Sequence, residues 1–140
     1  MIRAFAENDL DKLVRIWLDA SVVAHDFIPA EYWKEKTEDM KRVYLPASQT
    51  FVYQDETEVL GFISMVDNYI AAIFVKPEEQ GRGIGKQLIE FVKRKYPQLT
   101  LGVYSKNIKS VDFYKKQGFV ITGEKVEENT GEMETLMQLS

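Results

Sequence analysis

The sequence predicts a mixed α/β (α+β) fold: one central, mostly antiparallel sheet with helices on both faces. Two observations predict it. Segments with strand and helix character follow one another in the order β-α-α-β-β-β-α-β-α-β-β, and the three consecutive strands between residues 50 and 75 have only short turns between them, so they pair as a meander. The chain has 140 residues and is 45% hydrophobic, a size at which a single core forms, and no repeat, low-complexity tract or linker divides it. One domain over residues 1–140 is expected.

Taken in order, Ile2 to Phe5 is a short first strand. Asn8 is placed to cap a helix whose Leu10, Leu13, Val14 and Trp17 recur at helical spacing, with an end expected near Ala20. Ser21 to Pro29 has no period and reads as a loop, and Trp33, Met40 and Tyr44 mark one face of a second helix closed by Pro46. Thr50–Gln54 and Val59–Val66 are rich in β-branched and aromatic residues and flank Asp55-Glu56-Thr57, which makes a hairpin. Asn68 turns the chain into a third strand, Tyr69–Val75. Beyond a glycine-rich connection, Ile84, Leu88, Phe91 and Val92 form the apolar stripe of another helix, stopped by Tyr96-Pro97. Leu99–Val103 is a strand, Ser110–Gln117 a short helix with Gly118 as its left-handed cap, and Phe119–Ile121 and Glu134–Leu139 are the last two strands.

Composition narrows the function classes. With no cysteine and one histidine, His25, thiolate chemistry and histidine-rich metal centres are excluded, so no metal is expected. The formal charge is −4 with both signs interleaved, which disfavours a broad attraction to nucleic acid or to anionic membrane. There is no apolar run of membrane-spanning length and no basic-then-apolar leader at Met1–Leu10; a cytoplasmic protein is expected.

The segment that carries chemistry is Ile73-Phe74-Val75-Lys76-Pro77-Glu78-Glu79-Gln80-Gly81-Arg82-Gly83-Ile84-Gly85-Lys86, a strand passing through a glycine-rich turn into a helix. Glycines let the backbone approach an anion and adopt positive φ, while the unpaired N–H groups and the positive dipole end of the helix attract it. Arg82 and Lys86 add positive charge. A nucleotide P-loop needs four residues between its first glycine and Gly-Lys, then a hydroxyl residue; here three separate Gly81 from Gly85, and Gln87 has no hydroxyl. A dinucleotide fingerprint needs Gly-x-Gly-x-x-Gly after the first strand of a βαβ unit, whereas this turn follows a meander.

Gln80, Gly83 and Gly85 match the Gln/Arg-x-x-Gly-x-Gly/Ala turn of the GNAT superfamily of N-acetyltransferases. A second segment, Asn107 followed by Ser110 to Phe119 with Phe113-Tyr114 and Gly118-Phe119, resembles that family's Asn…Phe-Tyr-x-x-x-Gly-Phe signature. His25-Asp26-Phe27 is similar to small bacterial members of the YjaB/YiaC type. The resemblance implies that acetyl-coenzyme A is the acetyl donor and an amine the acceptor, either a protein lysine, an N-terminus or a small molecule. It places the pyrophosphate on the amides of Gly81, Arg82, Gly83, Ile84, Gly85 and Lys86, and the pantetheine arm beside Ile73, Phe74 and Val75, where a bulge parts that strand from the next. Gln80, Asn107 and Tyr114 face the cofactor, and Tyr114 is the general acid for the departing thiolate, since a phenol stays protonated at neutral pH. No acidic residue lies on Tyr69–Val75, so the base is left among Asp67, His25 and a relayed water. The acceptor is expected beside His25, Asp26, Phe27, Tyr32 and Trp33. A non-catalytic acyl-coenzyme A sensor and an interaction module are the alternatives, and the chain is expected to be a monomer or homodimer.

Overall fold

The computed structural model describes every residue from Met1 to Ser140. The chain runs β1 (Ile2–Ala4), α1 (Leu10–Ala24), α2 (Ala30–Glu35), α3 (Thr37–Asp39), β2 (Gln49–Gln54), β3 (Val59–Val66), β4 (Tyr69–Val75), α4 (Ile84–Lys93), β5 (Leu99–Tyr104), α5 (Ile108–Lys116), β6 (Val120–Val126) and β7 (Met133–Leu139). The seven strands form one sheet in the order β1-β2-β3-β4-β5-β7-β6. Every neighbouring pair is antiparallel except β4 and β5. The expected fold class and element order stand.

Helices cover both faces. Leu13, Val14, Ile16 and Trp17 of α1 and Trp33 of α2 pack on Val52, Val59 and Phe62 of the sheet. On the other face, Ile84, Leu88, Ile89 and Val92 of α4 and Tyr114 of α5 pack on Leu60, Ile63, Met65, Leu101 and Val103. Burial at the i, i+4, i+5 and i+8 positions of α4 gives one continuous apolar face. Phe91, expected in that stripe, is half-buried at its edge with its ring 4.9 Å from Phe51.

Several expected boundaries move, each for a packing reason. Helix α1 continues a turn past Ala20 to Ala24, burying Ser21 completely, and the predicted loop shrinks to residues 25–29. Asn8 is not the cap. The neighbouring Asp9 is buried, takes a two-pronged contact from the Arg3 guanidinium at 2.8 and 2.9 Å, and accepts the Ala6 N–H at 2.8 Å. These hydrogen bonds, Arg3 first, hold the Asp9 carboxyl below the usual range. The second predicted helix breaks into α2, α3 and a wide π turn over Met40–Tyr44, where the Leu45 N–H reaches the Met40 carbonyl at 3.0 Å. The wide turn rotates Leu45 inward and leaves Tyr44 exposed, so Tyr44 is not on the buried face with Trp33 and Met40.

The feature that positions the site is the seam between β4 and β5. They share a single register pair, Tyr69 with Thr100, and diverge from there toward Val75 and Tyr104. On its other edge β4 pairs with β3 along its length, but the register shifts where Ser64 faces Ala72 and Met65 faces Ile70, leaving Ala71 as a bulge. The bulge bends β4 away from β5. The parting that the family resemblance implied is therefore present, and main-chain groups of β4 beyond Tyr69 face an open V.

Candidate active site

A cleft of about 990 Å³ runs through that V. Its walls are β4, the ends of β5 and α1, and the starts of α4 and α5. One end opens on the glycine turn, and the other on His25, Trp33 and Tyr104.

At the glycine end the local sequence dictates the geometry. Pro77 opens a short 3₁₀ turn through Glu79, and the Gln80 side-chain amide donates to the Val75 carbonyl at 3.2 Å, tying the turn back to β4. Gly81 and Gly83 have φ of +85° and +82°, and Gly83 is the N-cap of α4. A side chain at either position would be strained although nothing lies within 4 Å of the space it would take. The open space and the helix start form a cradle fitted to a phosphate. Gly85 differs: a β-carbon there would lie 3.3 Å from the Phe113 ring, so this glycine serves the contact between α4 and α5. Gln80, Gly81, Gly83, Ile84, Gly85 and Lys86 all line the cleft, as do Ile73, Phe74 and Val75. Arg82 does not; it pairs with Glu79.

In the middle, Asn107 and Tyr114 come from one helix. Asn107 is the N-cap of α5, its Oδ1 accepting the Ser110 N–H at 3.3 Å, and Tyr114 lies seven residues on, so both reach the cleft as their spacing predicts. Tyr114 is buried, with its ring against Phe113 and Phe119 at 5.3 and 5.7 Å. Burial pushes its phenol well above the ordinary value, with a smaller contribution from Tyr69.

At the far end, His25 is the C-cap of α1, inside an aromatic cage of Phe27, Trp33 and Tyr104 with ring separations of 5.9, 5.0 and 5.1 Å. Its Nε2 accepts the Asn107 side-chain amide at 3.4 Å, and Nδ1 is buried without a partner. Burial lowers its pKa to about 4, so the imidazole is neutral at physiological pH. Tyr32 and Trp33 line the cleft; Phe27 stands behind His25 and Tyr104. Asp26 and Asp67 are exposed and lie off the cleft wall, Asp67 in the tight β3–β4 turn with a φ of +53°. The structure thus separates these two carboxylates from the other expected site residues.

Tyr69, Tyr104, Glu127 and Glu134 line the cleft without having been singled out from sequence. Tyr104 donates its hydroxyl to Glu127 at 3.2 Å. Gly102, in the middle of β5, was the available signal, because a glycine inside a strand pattern marks a close approach by another group. No cluster of His, Cys, Asp and Glu is arranged to hold a metal ion, and no helix is long and apolar enough to cross a membrane.

A phosphate cradle, a splayed parallel pair and a buried tyrosine on the same cleft are the features that the resemblance implies for an acyl-group transferase. The sequence profile of the acetyltransferase (GNAT) domain matches residues 11–139, and the chain belongs to that family. It is an N-acetyltransferase, with acetyl-coenzyme A as the acetyl donor. It is 37% identical over 122 residues, 86% of its length and 84% of the relative's, to the peptidyl-lysine N-acetyltransferase YiaC of Escherichia coli. It is 33% identical to the peptidyl-lysine N-acetyltransferase YjaB of the same organism, covering 99% of this chain and 95% of that one. The solution structure of apo YjaB superposes with a TM-score of 0.87 at 31% identity, over 99% of this chain and 95% of that one. An acetyltransferase from Bacillus anthracis solved in complex with acetyl coenzyme A matches with a TM-score of 0.60 at 25% identity, over 67% and 63% of the two chains.

Proposed function

We propose that the chain, as one acetyltransferase domain over residues 1–140, transfers acetyl groups from acetyl-coenzyme A to lysine side chains of peptides or proteins. The observation that carries this is the continuity of the cleft: one channel joins the glycine cradle, Tyr114 and an aromatic end with carboxylates on its rim. The family relatives named for peptidyl-lysine support the acceptor class.

In this reading acetyl-coenzyme A supplies an activated acetyl group, and the chain's residues bind, orient and move protons. The amides from Gly81 to Lys86 hold the pyrophosphate, with Arg82 at its outer side and Gln80 bracing the turn on Val75. Ile73, Phe74 and Val75 lie along the β4 edge that the arm follows, and Asn107 orients the region where arm and helix α5 meet. Tyr114 keeps its proton at neutral pH and gives it to sulfur. His25, Tyr32 and Trp33, with Phe27 behind them, form the apolar wall that strips water from the incoming amine. His25 is better suited to this wall than to taking a proton, because an imidazole with a pKa near 4 is a weak base at neutral pH. With charges interleaved and no membrane-crossing helix, we read the protein as cytoplasmic, acting on neither nucleic acid nor membrane, as a monomer or homodimer.

The test is an acceptor panel. Lysine-containing peptides, peptides with a free N-terminus only, and polyamines are each incubated with acetyl-coenzyme A, and thiol release and acetylated product mass are recorded. Preference for lysine peptides is expected; faster acetylation of N-termini or polyamines overturns the lysine assignment.

A further inference from the structure

The proton acceptor for the amine is the part of the chemistry left without a residue. Three acidic side chains line the cleft: Glu79, Glu127 and Glu134. Glu79 is paired with Arg82 at the cofactor end. Glu127 is engaged twice, accepting the Tyr104 hydroxyl at 3.2 Å and the Asn129 N–H at 2.6 Å. Glu134 is different. Its one ionic neighbour is Lys125, whose Nζ stands 3.6 Å away, beyond hydrogen-bonding distance, and is itself mostly exposed.

The position of Glu134 follows from strand register. It faces Tyr104 across the β5–β7 ladder, so it projects from the same sheet face as Tyr104 and Gly102, the face that carries α1, α2 and the His25 cage. Gly102 makes the space: a β-carbon there would lie 2.7 Å from Glu134 Cδ and 2.9 and 3.0 Å from its oxygens. The carboxylate therefore lies directly on the β5 backbone, at the lip of the V, with only 16% of the side chain exposed. Tyr69, where β4 and β5 last touch, is the link across the seam. Its phenol is raised by burial and then by the Glu134 charge, against the Gly102 amide, and Tyr69 in turn acts on Tyr114.

We propose that Glu134 is the general base of the reaction, its carboxylate taking a proton from the acceptor's ammonium at the lip of the seam. This rests on the acetyl-transfer reading above. One ammonium N–H bond breaks and Glu134 becomes a carboxylic acid. The freed nitrogen lone pair forms the C–N bond to the acetyl carbon as the C–S bond breaks, and the sulfur electron pair takes the Tyr114 proton. The second proton lost by nitrogen restores the Tyr114 hydroxyl, and Glu134 releases its own to solvent, so one proton is produced per acetyl group transferred. An acid on one side of the seam and a base on the other let both proton movements proceed without rearrangement of the chain.

The groups facing Glu134 are Lys125 of β6, Tyr104 of β5 with Glu127 behind it, and Tyr69 of β4. The experiment compares the parent with Glu134→Gln using two acceptors, a lysine peptide, which is protonated at neutral pH, and hydroxylamine, which is not. Acetyl-coenzyme A binding by calorimetry and the thermal melt are measured alongside. The expected result is unchanged binding and melting and a fall of about 10²-fold in kcat/KM for the lysine peptide. The rate with hydroxylamine should stay close to the parent's. Equal losses with both acceptors make Glu134 a structural residue and overturn the proposal, as does full activity on the lysine peptide. A parent that binds acetyl-coenzyme A but releases no thiol with any amine overturns the acetyl-transfer reading instead. If Glu134→Gln does not fold, Gly102→Ala carries the same test, because its β-carbon displaces the carboxylate without removing it; the same selective loss on the lysine peptide is expected.

Discussion

At the glycine end of the cleft the consecutive residues Gln80 to Lys86 work through backbone conformation, whereas the other end, the proposed acceptor end, is assembled from side chains on four separate elements: His25 after α1, Trp33 in α2, Tyr104 in β5 and Glu134 in β7. The first kind of site depends on Gly81 and Gly83, which lack a side chain and have no core group within 4 Å of the space one would take. The second shares its residues with the core, since Trp33, His25 and Tyr104 pack on one another and Trp33 packs on Trp17. Substitutions at the donor end should therefore affect binding more than folding, and those at the acceptor end should affect both.

The largest expected effect tests the coupled end. Trp33→Ala removes a buried ring that touches Trp17, Tyr32 and His25, and should cost about 3–5 kcal/mol in chemical denaturation. The folded fraction should still bind acetyl-coenzyme A. Loss of stability without any rise in KM for the amine would separate the acceptor end from the core.

His25 gives a pH signature of the same packing. Its folded pKa of about 4 lies below the unfolded value near 6.5, so below pH 6.5 the unfolded state binds the proton first. The histidine's contribution is fully present above pH 6.5 and is lost as pH falls toward 4, by up to about 3 kcal/mol. Stability measured for the parent minus that for His25→Phe should follow this curve; a flat difference would mean that the imidazole is hydrated.

Tyr114→Phe tests the hinge between the two ends. The ring remains buried against Phe113 and Phe119, and kcat should fall by about 10²-fold, equivalent to about 2.7 kcal/mol, with acetyl-coenzyme A affinity retained. A change confined to KM for acetyl-coenzyme A would assign the hydroxyl to binding.

At the donor end, Gly83→Val places a branched side chain at a φ of +82° and should cost about 1–2 kcal/mol in stability while abolishing acetyl-coenzyme A binding in calorimetry. Retained affinity in the folded variant would remove the glycine cradle from the donor site. The smallest effects are expected for Asp26→Ala and Asp67→Asn, exposed residues off the cleft, which should leave kcat/KM unchanged and stability within about 0.5 kcal/mol. A clear loss of rate at either would extend the acceptor site beyond the cleft described.

The sequence by itself determined the features whose physical cause is local. The spacing of Gly81 and Gly83, the helix start behind them, the meander through Tyr69–Val75, and the seven-residue step from Asn107 to Tyr114 all act over a few bonds. Only the tertiary structure decided the aromatic end of the cleft. The extra turn of α1 that sets His25 over Asn107, 82 positions away, and the β5–β7 register that lays Glu134 on Gly102 depend on strand pairing between distant segments. The same holds at the surface of the core, where the π turn at Met40 moves Tyr44 out and brings Leu45 in. A pattern of residues records which face of its own element a side chain takes. Which other element meets that face is set by the packing of the whole chain.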